Sequence, residues 1–331
     1  MTEKELQDLA DAIVAKVRGQ APSRQVAQTS RQVARSPSGA GAGSAPVTRG
    51  NLALKSDPSG AADIAWRGPN VQTAAWTPAA GARRVADFVD HTILKAETTK
   101  AEVETICAEA KQYEFAAVCV NGTWVEMCAN RLQGTDVAVA SVVGFPLGAM
   151  TMRSKAAEAR EAVASGASEI DMVIQLGRLK SGLWNCVEDD IRAVVEASRP
   201  GIVKVIIESA ALTREEIVKV SALAKEAGAA FVKTSTGFHA SGGASLEAVR
   251  LMRLVVGDDL GVKASGGIRD CETALAMIAA GANRLGTSSG VAFVTCLGPG
   301  PLPLAELLKQ PHAHASKCSS GSCGQGSSTA Y

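Results

Sequence analysis

A (β/α)8 barrel is the α/β fold that this sequence predicts for residues 81–309, and three observations lead there. Eight short apolar runs recur through that stretch, each of strand length and each followed by a segment with helical spacing. Parallel strands need such crossover helices, and eight alternations are the number that closes the sheet. Polar residues stand at the ends of many separate strands, as a TIM barrel requires when its site is assembled on one face. A doubly wound open sheet is the competing fold, and it gives no reason for that distribution.

Taken in order, residues 1–19 come first, and within them TEKELQDLADAIVAKVR (2–18) places Leu6, Leu9, Ala10, Ile13, Val14 and Val17 on one helical stripe. Acids lie early and bases late in that segment, as the helix dipole favours, and Gly19 is a plausible stop. Residues 20–80 are rich in Ala, Ser, Gly, Gln and Pro and lack periodicity, so they read as a flexible linker. SRQVA occurs there twice, at 23–27 and 30–34, too little to make a repeat architecture. The eight strand runs follow: VDHTIL, AAVCVN, VAVASVVG, EIDMVIQLG, VKVIIES, AAFVKTS, GVKASGG and NRLGTSS. Between them, segments such as TTKAEVETICAEAKQY and RSKAAEAREAVASGA carry helical spacing. Residues 310–331 form a Gly- and Ser-rich tail expected to be disordered; its His312, His314, Cys318 and Cys323 match no zinc spacing.

Composition narrows the function. With 34 basic and 33 acidic residues the chain has no charge bias toward nucleic acid or a membrane surface. Its longest apolar runs fall well short of the roughly 20 residues of a spanning helix. The N-terminus lacks a secretion signal, so a cytoplasmic protein is expected. Eight cysteines form no C-x-x-C pair and read as reduced thiols.

The chemistry begins with two strand lysines, Lys233 in FVKTSTGF and Lys263 in GVKASGGIRD. Side chains of a barrel strand alternate between interior and helix layer. If Ile170, Met172 and Ile174 face the helices, Asp171 faces inward with Val173, while Lys233 shares a face with Phe231 and Ser235, and Lys263 with Ser265. Two ammonium groups and a carboxylate thus converge at the barrel mouth. A neighbouring cation and partial burial lower a lysine's pKa, and the resulting neutral amine is the nucleophile that forms a Schiff base with a carbonyl. Glycine clusters TSTG, SGGIRD and GTSSG follow the sixth, seventh and eighth strands, and barrels recurrently bind phosphate there. Gly237, Gly266, Gly267, Gly286, Ser288 and Ser289 are the candidate phosphate contacts. His91 and Cys119 read as a satisfied polar histidine and a core thiol.

DHTILK (90–95), SVVGFPLG (141–148), EIDMVIQLG (169–177), KVIIES (204–209), FVKTSTGF, VKASGGIRD and RLGTSSG (284–290), in that order, resemble the deoxyribose-phosphate aldolase family. The resemblance implies a class I aldolase, without metal or other cofactor, that reversibly splits 2-deoxy-D-ribose 5-phosphate into acetaldehyde and D-glyceraldehyde 3-phosphate. It makes Lys233 the Schiff-base lysine, Lys263 its perturbing partner, Asp171 the acid/base residue working with a water, and Asp90 a member of the same polar network. It further implies a homo-oligomer. Gln175, where asparagine is commoner, and ESAALT at the fifth strand end depart from the family pattern. Alternatives are a Schiff-base aldolase for another phosphorylated sugar and an inactive barrel serving as a shell-binding scaffold. The helix of 2–18 with its linker resembles encapsulation peptides of enzymes packaged in bacterial microcompartments, which implies shell proteins as partners and the compartment lumen as location.

Overall fold

In the computed structural model, which describes residues 82–309, the eight predicted runs form eight parallel strands. They are β1 (Val89–Thr92), β2 (Ala117–Val120), β3 (Ala138–Val143), β4 (Glu169–Val173), β5 (Ile202–Ile206), β6 (Phe231–Lys233), β7 (Gly261–Ser265) and β8 (Arg284–Thr287). Each pairs with its sequence neighbours and β8 returns to β1, with Asp90 opposite Gly286, so the sheet is a closed barrel. The segment 2–18, the linker and the tail with its His and Cys residues lie outside the described residues.

Ten helices surround the barrel among the described residues: α1 (Lys100–Tyr113), α2 (Val125–Arg131), α3 (Met152–Ala164), α4 (Leu176–Lys180), α5 (Trp184–Ala197), α6 (Arg214–Glu226), α7 (Leu246–Val256), α8 (Cys271–Ala279), α9 (Gly290–Leu297) and α10 (Leu304–Lys309). Their starts are written locally. Thr99 caps α1 and Thr213 caps α6, each in a reciprocal box with the Glu three residues on. Ser245 and Asp270 cap α7 and α8 through their side-chain oxygens. These caps lie just beyond the C-terminal strand ends, so they fix the length of the loops that frame the barrel mouth.

Alternation along the strands sorts the side chains into two environments. Ile170, Met172 and Ile174 of the β4 run and Val203, Val205 and Ile207 of the β5 run join the apolar layer beneath the helices, with Ile191 and Val194 of α5 among their fellows. Inside the barrel the apolar content is small: Leu94, Cys119, Ala140 and Val142 form a separate cluster, with Phe145 against it. Buried charged side chains share the rest of the interior with Phe231 and Val173.

Residues that open their strands make the floor of the barrel. Phe231, first in β6, lies opposite Gly261, first in β7. A Cβ at 261 would sit 2.1 Å from Phe231 Cε1, so glycine is what lets the ring fill the floor. The Arg284 guanidinium lies 5.9 Å from the centre of that ring. Gly261→Ala is therefore expected to lower stability by about 1–3 kcal/mol through overpacking, with Phe231→Leu in the same chain restoring part of it. Urea denaturation of the single and double variants reads both numbers, and an unchanged midpoint for Gly261→Ala would refute the account.

Candidate active site

Seven ionisable side chains point into the barrel, and all are essentially sealed from solvent: Asp90, Glu169, Asp171, Lys204, Lys233, Lys263 and Arg284. Lys233 is the last residue of β6, at the mouth, and Lys263 is its partner in register on β7. Both ammonium nitrogens reach the same carboxylate oxygen: Lys233 Nζ and Lys263 Nζ each lie 2.8 Å from Asp171 Oδ2. The other oxygen, Asp171 Oδ1, accepts from Lys204 Nζ at 2.9 Å. Lys204 also contacts Asp90 Oδ2 at 3.2 Å and pairs with Glu169. Lys263 donates a second, short bond to Asp90. Below them Arg284 bridges Asp90 and Glu169, with Nη2 2.7 Å from Glu169 Oε1.

The structure brings together all four candidates chosen for chemistry, Asp90, Asp171, Lys233 and Lys263, and adds three that sequence reasoning passed over. Lys204 is the most connected of these, touching all three acids. A signal for it existed: Val203–Lys204 repeats the Val–Lys pair of 232–233 and 262–263, each inside a strand. Glu169 lies two residues before Asp171 and so shares its face. Arg284 opens β8, where an arginine reads most simply as a rim residue.

Charge counting explains the electrostatics. With the acids ionised, three carboxylates face four basic groups, so one positive charge is in excess where a lone buried ion is very costly. Lys233 is the one whose pKa falls. Burial is the chief cause, the Asp171 carboxylate opposes it, and the Lys263 cation reinforces it. Lys263 and Lys204 also suffer desolvation, but their carboxylate partners outweigh it and push both upward. Burial raises the pKa of Asp171, yet Lys204, Lys233 and Lys263 together hold it well below the usual carboxylate range. Asp90 is likewise lowered, against its burial, by Arg284, Lys204 and Lys263. Of the two causes expected from the sequence, burial and a neighbouring cation, burial has the larger share.

At the mouth, the loops after β6, β7 and β8 interlock. Thr234 Oγ1 donates to the Ser265 carbonyl at 3.1 Å and accepts the Ser265 N–H at 3.0 Å, while Ser265 Oγ donates to the Ser235 carbonyl at 2.8 Å. Thr287 Oγ1 donates to the Ile268 carbonyl at 2.8 Å. Gly237, Gly266 and Gly267 all take positive φ (86°, 87° and 82°). The N–H groups of Gly237 and Gly267 have no partner among the described residues. Ser288, just past the end of β8, is exposed, and Ser289 precedes α9. Gly286 sits lower, inside β8, where a Cβ would come within 2.8 Å of Ser265 Cβ and 3.1 Å of Lys263 Cε. It clears space for Lys263.

His91 faces the helix layer, not the site. Its Nε2 lies 2.6 Å from Glu109 on α1 and its ring 5.1 Å from Phe115. Cys119 belongs to the inner apolar cluster, with its sulfur 3.9 Å from Asp171 Oδ2 and its thiol pushed up by burial. Gln175 donates to the Met150 carbonyl at 3.1 Å. Among the described residues no cluster of His, Cys, Asp and Glu is arranged to hold a metal, and no helix is long and apolar enough to cross a membrane.

Removing one acid from this network should expose its balance. Asp90→Asn leaves Arg284, Lys204 and Lys263 facing one fewer carboxylate, and is expected to cost about 3–5 kcal/mol. In the intact protein both Asp90 and Asp171 sit below their usual range, so an unfolded chain takes up protons first as the pH falls. Their contribution is therefore complete above roughly pH 4 and is lost progressively below it. Urea midpoints between pH 7 and pH 3 check this; a flat profile in the wild type, or an Asn variant as stable as the parent, contradicts it.

Known proteins place the chain. The model of the DeoC/LacD family aldolases matches residues 84–294. Deoxyribose-phosphate aldolase of an Exiguobacterium species is 57% identical over 212 residues, 64% of this chain and 96% of the relative. That of Streptococcus uberis is 53% identical over 211 residues, again 64% and 96%. Among solved structures, a putative deoxyribose-phosphate aldolase from Coccidioides immitis is 41% identical, with a TM-score of 0.62 over 70% of this chain and 88% of that one. A deoxyribose phosphate aldolase from Aeropyrum pernix, described as a unique tetramer, is 29% identical, with a TM-score of 0.58 over 68% and 91%. A closed barrel built around two register-matched lysines and a shared aspartate, together with this sequence likeness over residues 84–294, makes the chain a member of the DeoC/LacD family of aldolases.

Proposed function

We propose that this enzyme reversibly cleaves 2-deoxy-D-ribose 5-phosphate to acetaldehyde and D-glyceraldehyde 3-phosphate through a Schiff base on Lys233. The observation that carries this reading is the sealed, lowered amine of Lys233 at the barrel mouth, 2.8 Å from Asp171. Its relatives named deoxyribose-phosphate aldolases at 53–57% identity support the choice of sugar.

The steps follow from the charges. The neutral Nζ of Lys233 adds to C1 of the open-chain aldehyde, and loss of water leaves an iminium that restores a positive charge beside Asp171. A base removes the proton of the C3 hydroxyl, C3 becomes the aldehyde of glyceraldehyde 3-phosphate, and the electrons of the C2–C3 bond move into the iminium to give an enamine. Protonation of C2 and hydrolysis release acetaldehyde and return the free amine. Asp171, anchored by three lysines, orients the water that relays these protons, and Lys263, kept charged, is the adjacent donor. Asp90 and Lys204 hold Lys263 and Asp171 from below. Gly237, Gly266, Gly267, Ser288 and Ser289 bind the phosphate with N–H and hydroxyl donors, while Gly286 keeps Lys263 unobstructed.

Borohydride reduction with 2-deoxyribose 5-phosphate, followed by peptide mass spectrometry, should place the adduct on Lys233. Labelling elsewhere, or full turnover by Lys233→Arg, refutes the mechanism. Trapping with acetaldehyde should quicken as the pH rises, because the neutral amine reacts, along a limb that lies below that of an ordinary lysine. Lys263→Met, by removing the repelling cation, should move this limb to higher pH while leaving it short of an ordinary lysine's, since burial remains. An unmoved limb would deny Lys263 its tuning role.

The protein works as a homo-oligomer in the cytoplasm, the tetramer described for the Aeropyrum relative being one such assembly. The stripe of residues 2–18 directs it to the lumen of a bacterial microcompartment by docking on shell proteins, which suits a volatile, reactive product. A fluorescent protein carrying residues 1–20 should then form puncta in cells that assemble the shell, and diffuse fluorescence would reject packaging.

A further inference from the structure

We infer that Glu208 is a positioning residue that shapes the anion-binding loop after β6 and thereby sets the preference for a phosphorylated over an unphosphorylated substrate. The inference rests on the phosphate reading above.

Glu208 stands two residues past the end of β5 in a left-handed conformation, with φ 56° and ψ 56°. Side chains other than glycine rarely hold that backbone unless surrounding contacts impose it. One other non-glycine residue among those described has positive φ, Glu114, and it is the exposed left-handed cap of α1. Glu208 is buried instead, at 2% exposure. Its carboxylate spends its acceptors on a single neighbour: the Thr236 N–H lies 3.3 Å from each oxygen and the Thr236 hydroxyl donates at 2.6 Å.

That arrangement decides which donors the loop can offer. The Thr236 hydroxyl gives its proton to Glu208, and its lone pairs take the Phe238 N–H at 3.1 Å. The N–H groups on both sides of Gly237 are thereby consumed within the protein. Gly237, at φ 86°, is left between them with an N–H that has no partner among the described residues. The same loop is tied to the turn after β5 by Ser209 N–H donating to the Thr234 carbonyl at 2.7 Å. A carboxylate repels a phosphate, so Glu208 acts through Thr236 and not by contact: it selects the loop conformation that turns Gly237 toward the mouth.

The test compares kcat/KM for 2-deoxyribose 5-phosphate and for unphosphorylated 2-deoxyribose. Glu208→Gly removes the carboxylate while keeping a residue at home in the left-handed region. It should lower kcat/KM for the phosphorylated sugar roughly 10- to 100-fold, the range of a lost charged hydrogen bond, chiefly through KM. Its activity on 2-deoxyribose, and borohydride trapping of acetaldehyde on Lys233, should be unchanged, which also certifies a folded centre. Glu208→Gln, whose amide oxygen still accepts from Thr236, should recover most of the loss. Thr236→Val should mimic Glu208→Gly, and the double variant should cost no more than the worse single. Equal losses on both sugars, or no loss on either, overturn the role of Glu208 alone. A wild type that handles both sugars equally well overturns the phosphate reading and this inference with it.

Discussion

The shared oxygen of Asp171 is the contact on which the rest of the site depends. Two lysines from adjacent strands meet it at equal distance, 2.8 Å each, and neither is exposed enough to shed its charge into water. A low-dielectric interior tolerates ions only in matched company. With three acids and four bases enclosed, neutrality is reached when one base releases its proton. The lowered pKa of Lys233 is in this sense set by its burial and by the Asp171 and Lys263 side chains of other strands, and not by one strand end.

The fold supplies the isolation this needs. Helix caps set the loop lengths, the alternation of strand residues sends Val, Ile and Met outward to the helix layer, and the inner apolar cluster around Cys119, Ala140 and Val142 fills one side of the cavity. Glycines then remove bulk where charged side chains pass: Gly261 beneath Phe231 and Gly286 beside Lys263. Each substitutes absence of a Cβ for a movement the closed sheet could not make.

Sequence alone revealed the barrel because its period is local: a strand of alternating faces, a helix, and a glycine- or threonine-marked loop repeat eight times. It also singled out Lys233 and Lys263 inside their strands, but not Lys204, the one strand lysine with a valine on each side. What it did not reveal was partnership. Arg284 meets Asp90 from the opposite end of the chain, and Lys204 reaches Asp90 across most of the barrel; no spacing rule connects residues so distant in sequence. Glu208 was hidden for another reason, because an acidic residue at a strand end ordinarily reads as solvated, and its left-handed backbone leaves no mark when the residue is not glycine. His91 shows the opposite case, a tempting side chain that alternation turns away from the site, toward Glu109.

Counting carboxylates separates Lys233 from its neighbours. Lys204 touches three, Lys263 two and Lys233 one. Burial exerts the same kind of penalty on all three ammonium groups, so the number of compensating anions ranks them, and the rank matches the directions of their shifts: upward for Lys204 and Lys263, downward for Lys233. Position agrees with electrostatics, because the least compensated lysine is also the one that ends its strand at the mouth, where a carbonyl can approach. On the proposed Schiff-base route an iminium there would return a positive charge to the place the proton left, and the interior that expelled one cation would have to hold another. On that proposal the strain favours the step in which electrons flow into the iminium and neutralise it, so the imbalance that prepares the amine would also drive the cleavage.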